Sequence, residues 1–294
     1  MLRSLYAGVS GMKGFQTKLD TIGNNIANVN TTGFKKGRVS FQDMMSQSVK
    51  PAEGPNPDTG RGGLNPSQVG LGSKIGSIDT IHTQGNNQTT NRALDVALEG
   101  DGMFVLAEGG VTYDANDNPT NFTFGNSSLS FTRAGNFYLD NSGAIVNNSG
   151  KYVVGEGGII TIPENAQSFS ILSDGTVSYV DENQEVQEAG RIALASFSNP
   201  GGLEKIGGNE YRMTDNAGFI SSNNNDFVLN DLNDLSVAGQ NGTGQMVSGS
   251  LEMSNVDLAD EFTEMITAQR GFQANTKIIT TSDEILQELV NLKR

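Results

Sequence analysis

Apolar residues recur every seven positions at both ends of this chain, and that spacing constrains the fold more than any other feature. Near the start, Leu5, Met12, Leu19 and Ile26 form one row, and Phe15, Ile22 and Val29 form a companion row three residues on. Two such rows make a stripe along a helix that packs on another helix. Roughly 26 residues of helix would span about 40 Å. Near the end, Leu251, Leu258, Met265, Phe272, Ile279 and Leu286 repeat the spacing. Phe262 and Val290 stand on the adjacent row, which Gln269, Thr276 and Asp283 interrupt. Ser254-Asn255 marks the expected helix start. Asp257 and Asp260 suit its positive end, and Lys293 and Arg294 its negative end.

The first of these helices contains Gly8, Gly11, Gly14 and Gly23. Each glycine costs about 0.8–1.0 kcal/mol relative to alanine inside a helix. Such a helix orders when its seam is buried, and the glycines then allow another backbone to come close. Periodicity alone fits equally well with ordinary core helices folded onto the middle of the chain.

That middle reads differently. Residues 51–73 hold Pro51, Pro55, Pro57 and Pro66 among six glycines, which excludes a regular helix or a central strand and leaves a hinge or an irregular loop. From about 75 to 250 the pattern is β. Leu94–Leu98 and Met103–Leu106 are separated by Gly100-Asp101-Gly102, and Phe131, Arg133, Phe137 and Leu139 are spaced as in strands. Asp140-Asn141-Ser142-Gly143 and Ser173-Asp174-Gly175 are turn signals. The 37 glycines, against a background of about 7%, fit turn-rich β structure. The fold class expected is α+β: paired terminal helices and one mainly-β domain.

Composition excludes more chemistry than it suggests. A net charge of -14 argues against nucleic acid and against an anionic membrane surface. No cysteine is present, so disulfides and thiolate metal sites are out. The single histidine, His82, reads as a surface or strand residue rather than a ligand. Asp114-Ala115-Asn116-Asp117-Asn118 resembles the start of an EF-hand loop, but Pro119 stands where that loop needs glycine. Neither a phosphate-binding loop nor a nucleophile motif occurs. The expectation is a non-enzyme with no cofactor, metal site, membrane insertion or cleaved signal peptide.

Two segments resemble a known family, the axial proteins of the bacterial flagellum. They are Asn24-Asn25-Ile26-Ala27-Asn28-Val29-Asn30-Thr31-Thr32-Gly33-Phe34-Lys35 near the start, and Ser254-Asn255-Val256-Asp257-Leu258 with Gln269-Arg270-Gly271-Phe272 near the end. Phe131–Phe137 and Ala195–Pro200 are also similar to strands of that family. Within the family, Met1–Gly11, Gly23–Ile26 and Phe34–Arg38 resemble the hook form, here a short one, with the distal rod form as the alternative. A secreted glycan-binding β module is a more distant alternative, poorly served by a chain without tryptophan.

The resemblance implies an inner helical layer from 1–30 and 255–294, a connecting region over 31–75, and an outer β domain over 76–254. It implies a subunit that polymerises with identical copies into a curved tube transmitting torque. Further implied partners are the distal rod protein, the hook–filament junction proteins, the hook cap and the flagellar type III export apparatus. Its implied place is the extracellular flagellum. The apolar rows Leu5, Met12, Phe15, Leu19, Ile22, Ile26, Val29 and Leu258, Phe262, Met265, Phe272, Ile279, Leu286, Val290 would form the assembly interface. The family motif would comprise Asn24, Asn25, Asn28, Gly33, Phe34, Ser254, Asn255 and Val256.

Overall fold

Two helices bracket the chain, α1 over Leu2–Ala27 and α2 over Leu258–Leu292. The computed structural model describes residues 2–55, 62–113, 119–122, 127–163, 165–221, 229 and 232–292. Asp114–Asn118, Pro57, Lys293 and Arg294 lie outside the described residues. The chain divides into two units. One comprises Met1–Ala27, Gly37–Ile81 and Asp257–Arg294, and the other Asn28–Lys36 and His82–Val256. The connecting region expected over 31–75 is therefore split: 37–75 groups with the helices and 31–36 with the β structure.

In the helical unit, β1 (Gly37–Asp43) pairs antiparallel with β4 (Ser73–Thr80). Between them, β2 (Ser46–Lys50) and β3 (Ser67–Gly70) form a second ribbon, exposed along its whole length. In its described residues, 51–55 and 62–73, the Pro/Gly-rich stretch holds no helix and, besides the exposed β3, only the first residue of β4. Pro51, Pro55 and Pro66 all stand outside β2 and β3, where a missing N–H costs no ladder hydrogen bond.

The β unit is built around the strand Met103–Glu108. Its side chains alternate between two cores: Phe104 and Leu106 enter one, Met103, Val105 and Ala107 the other. Strand Ala193–Phe197 divides its residues the same way, with Leu194 in the first core and Ala193, Ala195 and Phe197 in the second. Covering both faces of a sheet turns the usual alternation into an unbroken apolar run. The sheet is antiparallel and runs in the order Tyr138–Leu139, Ile145–Val146, Tyr152–Gly155, Met103–Glu108, Ser128–Thr132, Glu210–Arg212, Glu204–Gly207. Edge-to-face pairs close each core: Phe104 on Phe137 at 5.1 Å, and Phe131 on Phe197 at 5.0 Å. Both turn signals fall where expected, joining antiparallel neighbours around 140–143 and 173–175.

Candidate assembly interface

Within the helical unit α1 and α2 run antiparallel and touch along their length. A Cβ on Gly8 would lie 3.2 Å from Ile279 Cγ1, and one on Gly271 would lie 2.6 Å from the Phe15 ring. Lys18 meets Glu264 at 3.0 Å, and Asn25 Nδ2 donates to Glu261 Oε2 at 3.2 Å. A Cβ on Gly11 would sit 2.9 Å from Asn275 Oδ1. The other side of α1 lies on the β1–β4 ribbon, where the Phe15 and Phe41 rings meet at a tilt with centroids 5.6 Å apart and Gly14 leaves space for the Phe41 ring. The weak helix formers of α1 are therefore the points where neighbours press closest, and Gly23 alone of the four meets nothing.

Leu5, Met12, Phe15, Leu19, Ile22 and Ile26 all lie partly or fully buried on α1. Val29 does not belong to the helix, which ends at Ala27. Asn28 stops it by accepting from Thr31 Oγ1 through its side chain and from Thr31 N through its carbonyl, both at 3.1 Å. On α2, Met265, Phe272, Ile279 and Leu286 are half-buried. Their companion row is Glu261, Ala268, Asn275 and Ser282, not the row of Phe262 and Val290. Within that row Asn275 lies against Gly8 and Gly11 of α1, and Glu261 accepts from Asn25. Phe262 and Val290 are 50% and 66% exposed, and Leu258 is exposed as well.

The outward surface of α2 is correspondingly apolar. Leu258, Phe262 and Ile266 follow one another at four-residue intervals near its start, and Ile278, Ile285, Leu289 and Leu292 stand out nearer its end. The antiparallel register puts Leu2 opposite roughly position 284 when both helices rise 1.5 Å per residue. The last turns of α2 thus extend past the described start of α1. Ser254-Asn255 does not open α2. The helix begins at Leu258, and Asp257 Oδ1 caps it by accepting from Ala259 N at 2.8 Å.

The motif residues stitch each unit where the chain crosses between the two. In the helical unit Asn25 is buried and imitates a strand neighbour, accepting from Gly37 N and donating to Gly37 O, each at 2.9 Å. Asn24 is exposed on α1. In the β unit Asn255 accepts from Lys36 N at 2.8 Å and donates to Thr83 Oγ1 at 2.9 Å, while Ser254 Oγ accepts from Val256 N. Gly33 has φ +68°, and its N–H donates to Glu252 O at 2.8 Å. It follows the helix end by six residues, so it shapes the exit turn and does not stop the helix. Phe34 is buried beneath Lys205, whose Nζ lies 5.0 Å from the ring.

Glu252 is the residue that sequence reasoning missed. Its fully buried carboxylate meets Lys35 Nζ, Arg133 Nη1 at 3.2 Å and Gly85 N at 3.0 Å. Lys35 also donates to Thr83 O at 2.7 Å. Burial holds the Lys35 and Arg133 pKa values below the ordinary range, against the pull of Glu252. His82 lies beside this cluster, half-buried in an irregular segment rather than on a strand or the surface. Among the described residues no group of acidic or imidazole side chains is arranged to hold a metal, and no helix is long and apolar enough to cross a membrane.

Three family descriptions match the chain: "Flagella basal body rod protein" over 5–35, "Flagellar hook protein FlgE/F/G D1 domain" over 121–179, and "Flagellar basal body rod FlgEFG protein C-terminal" over 247–292. The flagellar basal-body rod protein FlgG of Bacillus subtilis is 55% identical over 295 positions, covering all of both chains. FlgG of Borreliella burgdorferi is 36% identical, again across the whole of both. The flagellar hook protein FlgE of the same organism is 33% identical, but its alignment extends over 456 positions.

Proposed function

The chain belongs to the flagellar rod and hook protein family, and from that premise we propose that it is a distal rod subunit, a structural protein that polymerises with copies of itself. The full-length 55% identity to a basal-body rod protein carries this reading. The hook form, which the opening motifs resemble, is supported by relatives that need far more alignment positions than this chain has residues. On the same reading, the chain would be exported through the flagellar type III apparatus and assemble against neighbouring axial proteins.

The surface that would join copies is the outward face of α2. The seam residues Met265, Phe272 and Ile279 are already half-buried against α1 of the same chain, whereas Phe262, Ile266, Ile285 and Leu289 are left in solvent. Burying each such side chain fully stabilises by about 1.5–3 kcal/mol, multiplied over every subunit of a polymer. Electron microscopy of fibres grown from the purified chain tests the reading. Straight fibres that fail to form with Phe262→Asp or Leu289→Asp, at unchanged monomer melting temperature, are expected. Curved, supercoiling tubes would instead mark a hook subunit. Normal fibres from both variants would remove α2's outer face from the interface.

A further inference from the structure

We propose that His82 is an acid-sensitive latch on the Glu252 cluster, holding the crossing segments of the β unit together while neutral and loosening them on taking up a proton. Both imidazole nitrogens are buried without a hydrogen-bond partner, and the ring packs on Tyr211 at a centroid distance of 5.5 Å. Three cations face it: Lys35, Lys205 and Arg133. Of the carboxylates nearby, Glu252 is already bonded to Lys35 and Arg133, and Asp101 lines with His82 and Arg133 a cavity of about 340 Å³. Tyr211 offers no charge, since burial pushes its hydroxyl up to about 12. A proton on His82 therefore adds a fourth positive charge to a buried site whose central anion is committed.

The segments at stake are those through which the chain enters and leaves the β unit. Asn28–Lys36, the stretch beginning at His82, and the stretch ending at Val256 are tied to one another by Glu252, Lys35 and Asn255. Lys35 donates to Thr83 O, one residue from His82, so repulsion at position 82 acts directly on the lysine that holds Glu252. Desolvation, reinforced by Lys35, Lys205 and Arg133, lowers the imidazole pKa from 6.5 to about 4. With the folded value below the unfolded one, the neutral latch is fully engaged above pH 6.5, and its contribution is lost as pH falls from 6.5 through 4.

The chain has one histidine, so a single imidazole C2–H resonance reports its titration without assignment. In the full-length protein the midpoint should lie near 4, well below that of a free imidazole. Amides of Gly33 and Gly85, which donate to Glu252, should lose protection by up to about tenfold per pH unit across that window once intrinsic exchange is removed. In His82→Asn the loss between pH 6.5 and 4.5 should vanish. An imidazole midpoint at or above 6, or the same acid loss in His82→Asn, would overturn the latch. Should that variant fail to fold, the wild-type titration decides alone.

Discussion

The β unit has fully buried apolar cores, with Val96, Leu98, Phe104, Leu106, Phe137, Ile145 and Leu194 shut off from solvent, although Leu172, Val186 and Ile206 stay exposed at its surface. In α2 only three residues are buried, and they are Glu261, Ala268 and Ser282, while isoleucines, leucines and a phenylalanine face outward. The first arrangement closes on itself through two cores. The second half-buries Met265, Phe272 and Ile279 beside small and polar residues and leaves Phe262, Ile266, Ile278, Ile285 and Leu289 in solvent. A chain that must stand alone in one part and join copies in another would be divided in this way, with stability concentrated in the sheet and adhesion kept on the helix. Interior packing of the first kind is worth several kcal/mol per element, whereas an isolated helix pair rich in glycine is marginal.

The sharpest way to break the contrast is to unsettle the β unit from within. Glu252→Gln removes the counter-charge of Lys35 and Arg133, both almost wholly buried. Stranding buried charges costs about 3–5 kcal/mol, so chemical denaturation should show the β unit weakened by that amount. A loss below about 1 kcal/mol would mean that water or rearrangement replaces the carboxylate.

Gly33→Val comes next. At φ +68° a branched side chain costs about 1–2 kcal/mol in the backbone alone. Its Cβ would also stand 2.6 Å from Ala134 N, so the exit turn must move. Denaturation should show at least that loss in the β unit with the helical unit unchanged. An unaltered midpoint would show that the turn tolerates another conformation.

Why some of this was legible and some not follows from particular residues. Leu5 to Ile26 and Met265 to Leu286 announced their seam because large apolar residues repeat every seven positions. The partner row on α2 stayed hidden because Ala268, Asn275 and Ser282 carry no apolar signal. Asn275 fits there because Gly8 and Gly11 lie opposite it. The motif resemblance pointed to Asn25, Gly33 and Asn255 but not to what they bond. Glu252 and Lys35 are 217 positions apart, and no periodicity links a single acid to a single base over that distance. His82 was misread because the groups that bury it come from strands remote in sequence.

Gly23→Ala sharpens the contrast with the smallest effect and in the opposite direction. Nothing lies within 4 Å of its Cβ position, unlike Gly8, Gly11 and Gly14. Alanine should therefore raise α1 stability by about 0.8–1.0 kcal/mol, readable as slower amide exchange in the helical unit. Gly11→Ala should forfeit that gain against Asn275, and equal behaviour of the two variants would mean that close approach is not what the glycines serve.

Amide exchange on the verified monomer, followed by the same experiment on assembled fibres, tests the division between the units most directly. In the monomer, α2 amides should exchange at least about a hundredfold faster than those of Met103–Glu108, since local opening of an incompletely buried helix costs far less than opening the sheet. In fibres the α2 amides should slow by a comparable factor while the strand amides stay as they were. Monomer protection of α2 equal to that of the strand, unchanged on assembly, would contradict a helix left unfinished for its neighbours.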